Sequence, residues 1–308
     1  MSKRAPGWDL FETFLAVFRT GSLSAGARQL QTAQPTVRRR IETLEHSLGQ
    51  TLFTRSPAGL LPTDAARNIL SYAEGMAAIA EAGVRAVSAT DGASAGTVRV
   101  TCSEIVGVEV LPPLLAPLLA RYPALEIELV ATNTVENLLR RDADIAVRMT
   151  RPTQSGLVAR RVGTISIGLY ASDEYISRLG TPNSTRDLGG HVLIGRDRDE
   201  TLDRMLLDIA PDGTLGFGFR SDSDLVQLAA IRAGIGIGVC QIALAASSNR
   251  LRRVLPQIRF DLDAWLVMHE DLRATARVRL LFDHLVEVLT RYAKKGAEHQ
   301  EMTNTELR

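Results

Sequence analysis

The sequence predicts a chain in two parts: an all-α head with a winged helix-turn-helix and a long helix behind it, then an α/β domain. Three observations predict this. Apolar residues recur at helical spacing through the first ninety or so positions. The small-residue stretch Asp91-Gly-Ala-Ser-Ala-Gly96 then interrupts the chain as a linker, and beyond it strand-like and helix-like segments alternate.

In residues 8–20, Leu10, Phe11, Phe14, Leu15 and Phe18 form one face of a first helix, which Gly21 ends. A second, short helix starts at Ser22 or Ser24 and runs through Leu30 to a break at Gln31-Thr32. The third covers 33–48, with Val37, Ile41, Leu44 and Leu48 on its inner face and Gly49 as the expected C-terminal cap. Pro35 falls in its first turn, where a missing N–H does no harm. Leu52-Phe53 and Leu60-Leu61 flank Arg55-Ser-Pro-Ala-Gly59 as two brief strands around a turn, the shape of a wing. A fourth helix begins at Thr63-Asp64, with Ala65, Ile69, Tyr72, Met76, Ile79, Gly83 and Val87 in near-heptad spacing. Small neighbours such as Ala73 and Ala77 allow a second copy to approach, so this helix is expected to dimerise the chain; packing on its own head is the alternative.

Past the linker, 97–101, 125–130 and 145–147 read as strands and 108–122 and 135–141 as helices. Strands at 165–170, 192–195, 216–219 and 235–239 then alternate with helices at 173–179, 200–209 and 223–233. A strand at 265–268 and a long helix at 276–292 follow. This order argues for a mainly parallel sheet. The polar tail, 294–308, is expected to be disordered.

Composition narrows the function classes. With 308 residues, 45% of them apolar and 23% charged, the chain has room for two or three ordinary globular units. Two cysteines, Cys102 and Cys240, exclude a disulfide scaffold and a four-cysteine zinc site. No uncharged apolar run approaches the roughly 18 residues of a membrane helix, and no apolar stretch follows the basic N-terminus, so a protein of the reducing cytosol is expected. The net charge of +1 hides an asymmetry: residues 1–60 carry eight Lys/Arg against four acids, so the rest of the chain sums to −3. Only three of the 36 basic residues are Lys, and the planar fork of Arg suits phosphate and guanine.

A helix-turn-helix offers the first turns of its second helix to the major groove. Here those turns carry Gln34, Thr36, Arg38, Arg39 and Arg40; Gln pairs bidentately with adenine and Arg with guanine. The competing reading is a solvated face paired with Glu42 and Glu45. Three consecutive Arg cannot all face one way, so at least one is expected at the phosphate backbone or in an intramolecular pair. Enzymatic readings fail. Gly234, Gly236 and Gly238 imitate a dinucleotide fingerprint but follow a helix and fall in an expected strand, and so read as close-packed backbone. Cys102 reads as a small buried hydrophobe. His46, His191, His269, His284 and His299 show neither paired metal spacing nor an ordered triad. No catalytic residue, metal or cofactor is expected.

Four motifs occur in one order over about sixty residues. They are Phe14-Leu-Ala-Val-Phe-Arg-Thr-Gly-Ser-Leu-Ser-Ala-Gly-Ala-Arg-Gln-Leu30, Gln34-Pro-Thr-Val-Arg-Arg-Arg-Ile-Glu-Thr-Leu-Glu45, Leu48-Gly-Gln-Thr-Leu-Phe-Thr-Arg55 and Leu61-Pro-Thr63. Together they resemble the LysR-type transcriptional regulators. Tyr122-Pro123, Asp144-Ile-Ala-Val-Arg148 and Arg232-Ala-Gly-Ile-Gly-Ile-Gly238 extend the resemblance more weakly into the second part. Two positions depart from the family: Ala33 replaces its usual Ser, so the helix cap passes to Thr32 or is lost, and Arg38 stands where the family has Ser.

The resemblance implies a winged helix-turn-helix at 1–63, a dimerising linker helix at 64–90, a hinge at 91–96 and an effector-binding domain at 97–293. That domain is expected to be two-lobed, like a type 2 periplasmic binding protein, with lobe I at 97–164 and 267–293 and lobe II at 165–266. Expected DNA contacts are Ser24, Thr32, Gln34, Pro35, Thr36, Arg38, Arg39, Arg40, Arg55 and Ser56. Expected effector contacts are Thr101, Ser103, Glu104, Thr132, Asn133, Thr134, Arg148 and Asp222, with Thr132 or Thr134 equally suited to capping the helix at 135–141. Glu104 would repel an anion, so the effector is expected to be neutral, amine-bearing or kept away from that side chain. Implied partners are double-stranded DNA, a small-molecule effector, a homodimer through the linker helix, a homotetramer through helices 108–121 and 225–233, and RNA polymerase, with no membrane. The runner-up is a two-lobed small-molecule binding protein or enzyme whose N-terminal helices only oligomerise it.

Overall fold

The protein was analysed as a computed structural model that describes residues 5–57, 59–87, 94–133, 143–152, 156–198, 216–248 and 250–306. The expected helices at 135–141 and 200–209 lie outside the described residues. The chain divides into two units, the first ending at Val87.

In the first unit α1 (Trp8–Thr20), α2 (Leu23–Gln29) and α3 (Gln34–Leu48) precede a two-stranded wing, β1 (Phe53–Ser56) and β2 (Gly59–Pro62), and the long α4 (Asp64–Val87). The apolar spacing seen in the sequence becomes one core: Phe14 and Val17 of α1, Val37, Ile41 and Leu44 of α3, and Leu52 and Phe53 at the wing. Phe14 lies 5.7 Å from both Phe18 and Phe53, centroid to centroid, in tilted contacts of the kind aromatic rings favour. Gly49 caps α3 at φ 67, a left-handed conformation open to glycine. The Glu45 carboxylate then accepts the Leu52 and Phe53 N–H groups at 2.6 and 3.3 Å, which fixes where the wing starts. Gly59 closes the wing at φ 123; a Cβ there would meet the Gly21 carbonyl at 2.8 Å. Thr63 caps α4 by accepting the Ala66 N–H at 3.2 Å.

α4 divides the apolar stripe read in the sequence. Ala66 and Ala73 are buried against the head, joined by Ile69, Leu70 and Ala77, whereas Tyr72, Ile79 and Val84 stay exposed. The alternative read in the sequence, packing on its own head, is what the buried side of the helix does, and it takes up Ala73 and Ala77.

The second unit is built on a six-stranded sheet in the order β4 (Leu125–Ala131), β3 (Gly96–Cys102), β5 (Ile145–Arg148), β10 (Leu251–His269), β6 (Leu157–Ser172), β9 (Gly238–Gln241). β3 (Gly96–Cys102) leads through a π-type turn (Val106–Val110) into α5 (Leu111–Arg121), then β4 (Leu125–Ala131) and β5 (Ile145–Arg148). These three strands are parallel. The long strands β6 (Leu157–Ser172) and β10 (Leu251–His269) run antiparallel to each other, and β10 is antiparallel to β5. Between them in sequence come α6 (Asp173–Leu179), β7 (Leu193–Gly195), β8 (Phe217–Arg220), α7 (Asp224–Arg232), β9 (Gly238–Gln241) and the short α8 (Ile242–Ala245). The sheet is thus mixed rather than mainly parallel. Two strands shared by both lobes must carry the chain out and back, and a strand that returns beside its predecessor is antiparallel.

The lobes have separate cores. Val98, Val100, Leu111, Leu115, Leu266, Leu281 and Leu285 belong to one. Leu169, Tyr175, Leu188, Leu193, Val254 and Leu255 form a second, and Ile194, Leu228, Ile231 and Ile242 a third. β6 and β10 pass between these cores, and their pairing shifts register beside Gly163 and Ala264.

Two further expectations are corrected. The strand expected at 265–268 is only the end of a 19-residue strand. The tail expected to be disordered from 294 is part of the last helix, α9 (Ala276–Glu306). That helix is held by Tyr292, whose hydroxyl donates to Gln241 Oε1 at 2.7 Å, and by Lys295, whose Nζ donates to Ser247 Oγ at 2.9 Å. Gly296 adds room for the backbone, since a Cβ there would come within 3.4 Å of Ala243.

Candidate functional site

In the head, the residues that could read DNA are sorted by the phase of α3. Val37, Ile41 and Leu44 are buried, which leaves Gln34, Pro35, Arg38 and Arg39 exposed and Thr36 half-buried. Among the described residues no ion pair holds Arg38 or Arg39. Arg40 differs. Its Nε lies 3.5 Å from Asp9 Oδ2 and its Nη1 donates to Thr13 Oγ1 at 3.4 Å, so it ties α3 to α1 and is the intramolecular pair that three adjacent Arg require. Glu45, one of the two candidate partners of these arginines, is engaged by the wing amides. α3 begins at Gln34 with Ala33 as its cap and no side-chain capping bond. The N-terminal cap is therefore lost rather than passed to Thr32, which is half-buried and donates its N–H to the Ala27 carbonyl. Arg55 is exposed on β1, and Ser56 Oγ donates to the Gly59 carbonyl at 3.1 Å across the wing turn. Ser24 is exposed on α2, whose cap is Ser22.

In the second unit a cavity of about 340 Å³ opens where strand ends and helix starts of both lobes converge. Four expected residues line it: Ser103, Thr132, Asn133 and Arg148. Thr101 stands behind the wall, 5% exposed, and accepts from Arg148 Nη2 at 3.4 Å. Glu104 and Asp222 are not part of the lining. Thr134 lies outside the described residues. Glu104 instead accepts from Ser223 Oγ at 2.6 Å and from Asn133 Nδ2 at 3.4 Å, while its N–H donates to Asn133 Oδ1 at 3.1 Å. Asp222 accepts the N–H groups of Asp197 and Arg198 at 3.0 and 2.9 Å and so organises the loop after β7.

The sequence reading missed Arg196, Asp224, Gln227 and Gln241, which line the cavity from lobe II. Arg196 Nη2 contacts Asp224 Oδ1 at 2.5 Å. Their signal was available: Arg196 directly follows β7 and Asp224 opens α7, the same strand-end and helix-start positions that singled out Ser103 and Thr132 in lobe I. A second polar link joins the lobes near Glu104, where Arg232 donates twice to Glu109 at 2.7 and 2.8 Å. This hydrogen-bonded guanidinium holds the Glu109 carboxyl below the usual carboxylate range.

Among the described residues, neither cysteine at the cavity is an activated nucleophile. Burial pushes the Cys240 thiol in the wall up to about 12 and the Cys102 thiol behind it up to about 11, so both stay protonated at neutral pH. Gly236 is close-packed as expected, since a Cβ would collide with the Val192 carbonyl. Among the described residues no group of three His, Cys, Asp or Glu could hold a metal ion, and no helix is long and apolar enough to cross a membrane.

Comparison with known proteins gives two family matches: "Bacterial regulatory helix-turn-helix protein, lysR family" over residues 8–67 and "LysR substrate binding domain" over 91–290. The HTH-type transcriptional regulator CrgA of Neisseria meningitidis serogroup C is 26% identical over 283 residues, covering 90% of this chain and 95% of that protein. The serogroup B protein of that name is 32% identical over a shorter stretch, 59% of this chain and 61% of that protein. The solved structure of CrgA, described as a LysR-type transcriptional regulator, superposes with a TM-score of 0.57 at 26% identity, covering 93% of this chain and 99% of that one. Full-length CbnR complexed with its target DNA shares the fold at a TM-score of 0.64 and 19% identity, over 94% of this chain and 100% of that one.

Proposed function

Given that the chain belongs to the LysR family of DNA-binding transcriptional regulators, whose two domain models together span most of it, we propose a specific division of labour among its residues. Gln34, Thr36, Arg38 and Arg39 enter the major groove at the start of α3, Arg55 meets the backbone from the wing, and Ser24 and Thr32 flank the contact. Two heads act together, joined along the side of α4 that carries the exposed Tyr72, Ile79 and Val84, because one recognition helix covers only half of a pseudo-palindromic site. A homotetramer through α5 and α7 brings two such pairs onto one promoter in the cytoplasm, where RNA polymerase is the further partner. The cavity takes the small-molecule effector, and its occupancy changes how the lobes pack and hence how the DNA-binding pairs are spaced.

The observation that carries the DNA reading is the phase of α3: its apolar side is spent on the head core, and its first two turns leave Gln34, Arg38 and Arg39 exposed. A salt titration of binding to the promoter region tests it. Arg39→Ala is expected to weaken binding to every duplex and to reduce the slope of log K against log salt by about one, the signature of a lost phosphate contact. Unchanged affinity and slope would remove Arg39 from the interface.

A further inference from the structure

We propose that Gln227, with Gln241 beside it in the lining, selects an effector carrying a group that both donates and accepts a hydrogen bond, a hydroxyl or a carboxamide; this rests on the reading of the cavity as the effector site. Both residues line the cavity from lobe II, and both are more than nine-tenths buried, at 7% and 8% exposed. Ile105, Ile167, Leu228, Val239 and Leu262 supply hydrocarbon to the same wall. An amide end in such a setting needs a partner, and a ligand that displaces water from the cavity must supply one or leave that end unpaired.

The orientation of the Gln227 amide is fixed by what holds it. Its nitrogen donates to the Ser221 carbonyl at 2.7 Å. A carbonyl oxygen only accepts, so Nε2 is the end turned to Ser221 and Oε1 is the end left over. Among the described residues nothing donates to Oε1. That atom is not sealed inside the protein, and the open space that Gln227 borders is the cavity. Gln241 is held at its opposite end. The Tyr292 hydroxyl donates to its Oε1 at 2.7 Å, which leaves Nε2 without a partner among the described residues. These two residues thus offer one amide oxygen that calls for a donor and one amide nitrogen that calls for an acceptor.

A carboxylate or a ketone has no hydrogen to give to Gln227 Oε1, and an ammonium has no lone pair for Gln241 Nε2. A hydroxyl or a carboxamide serves both. The two side chains are neutral, so the preference applies to a ligand with an acidic, basic or uncharged body alike. A site built to hydrogen-bond a ligand's O–H or N–H discriminates sharply against the analogue that lacks it, because its own buried polar groups are then left unpaired.

Isothermal titration of the full-length protein with three ligand pairs tests the proposal. The pairs are 4-hydroxybenzoate with 4-methylbenzoate, tyramine with 4-methylphenethylamine, and benzamide with acetophenone. Each replaces an O–H or an NH2 by a methyl group of nearly the same size while the rest of the molecule stays the same. At least one pair is expected to bind, and in every pair that binds the donor-bearing member is expected to bind at least tenfold more tightly. Gln227→Leu is expected to bring the two members of that pair within about twofold, with Gln227→Met used if the first variant does not fold. Equal affinities within a pair that binds the native chain would overturn the proposal, as would no binding of any of the six, or a preference that survives in a folded Gln227 variant. Two space-filling variants separate this from the reading beneath it: Leu228→Trp, and Thr150→Trp at the exposed rim in case the first does not fold. Ligands that bind the filled and native proteins alike would overturn the reading of the cavity and the proposal with it. Ligands lost on filling but indifferent to the methyl replacement would keep the cavity as the site and overturn only the role of Gln227.

Discussion

In the head, the candidate DNA readers Gln34, Arg38 and Arg39 stand on the exposed side of one 15-residue helix whose other side is core. In the second unit, the cavity draws its lining from separate segments between Ser103 and Leu262, on strands and helices of both lobes. The difference teaches where substitution is tolerated. A reader on the outer side of a packed helix can be changed with little effect on stability, within about 0.5 kcal/mol. A cavity residue such as Leu228 is also a core residue, 2% exposed, so binding and folding there are coupled.

Substitutions can break or sharpen this contrast. The largest effect is expected from Phe14→Ala, which removes the ring that contacts both Phe18 and Phe53. It should destabilise the head by about 3–5 kcal/mol and abolish DNA binding while leaving cavity ligands bound, as read by thermal unfolding, gel shift and calorimetry on the same preparation. Next comes Gly59→Val, where a side chain at φ 123 meets the Gly21 carbonyl. Denaturant unfolding should show a loss of about 1–3 kcal/mol, with the wing displaced.

The smallest effect belongs to the second unit. Glu109→Gln should cost about 1 kcal/mol at pH 7, discounted for solvent because the Arg232 side chain is 42% exposed. Since Arg232 depresses the Glu109 pKa in the folded state, this stabilisation is present above the ordinary carboxylate pKa of about 4.3 and is lost as pH falls through the lowered one. Urea midpoints between about pH 6 and pH 3 should therefore fall less steeply in the variant than in the native chain.

The same contrast explains what could be read from the sequence. α3 was legible because a helix half in core writes its burial at 3.6-residue spacing, and Val37, Ile41 and Leu44 carry that spacing unbroken. The pairing of Arg40 with Asp9 was not, since it depends on how α1 and α3 cross, although adjacency alone required one of the three Arg to turn elsewhere. In the second unit, short strands buried on both faces were legible as apolar runs, such as Ile145–Arg148. The 19-residue β10 was read only at its end because Arg259-Phe-Asp-Leu-Asp263 alternates with charged residues facing solvent, and Leu255 interrupts it at φ 47. The last helix was cut short because its contacts beyond Tyr292 run through Lys295 and Gly296, which leave no apolar period. The pairing of Arg196 with Asp224 stayed hidden for a related reason, although each position was legible as a strand end or helix start: the two are 28 residues apart and meet only when lobe II folds.

The central claim is that the exposed start of α3 reads base sequence, and Gln34→Ala tests it most directly. Fluorescence anisotropy would measure its affinity for the promoter duplex and for a scrambled duplex at matched salt. The account predicts that the preference between the two falls by the equivalent of about 1–3 kcal/mol while affinity for the scrambled duplex stays unchanged. Equal losses on both duplexes, or no loss on either, would contradict it.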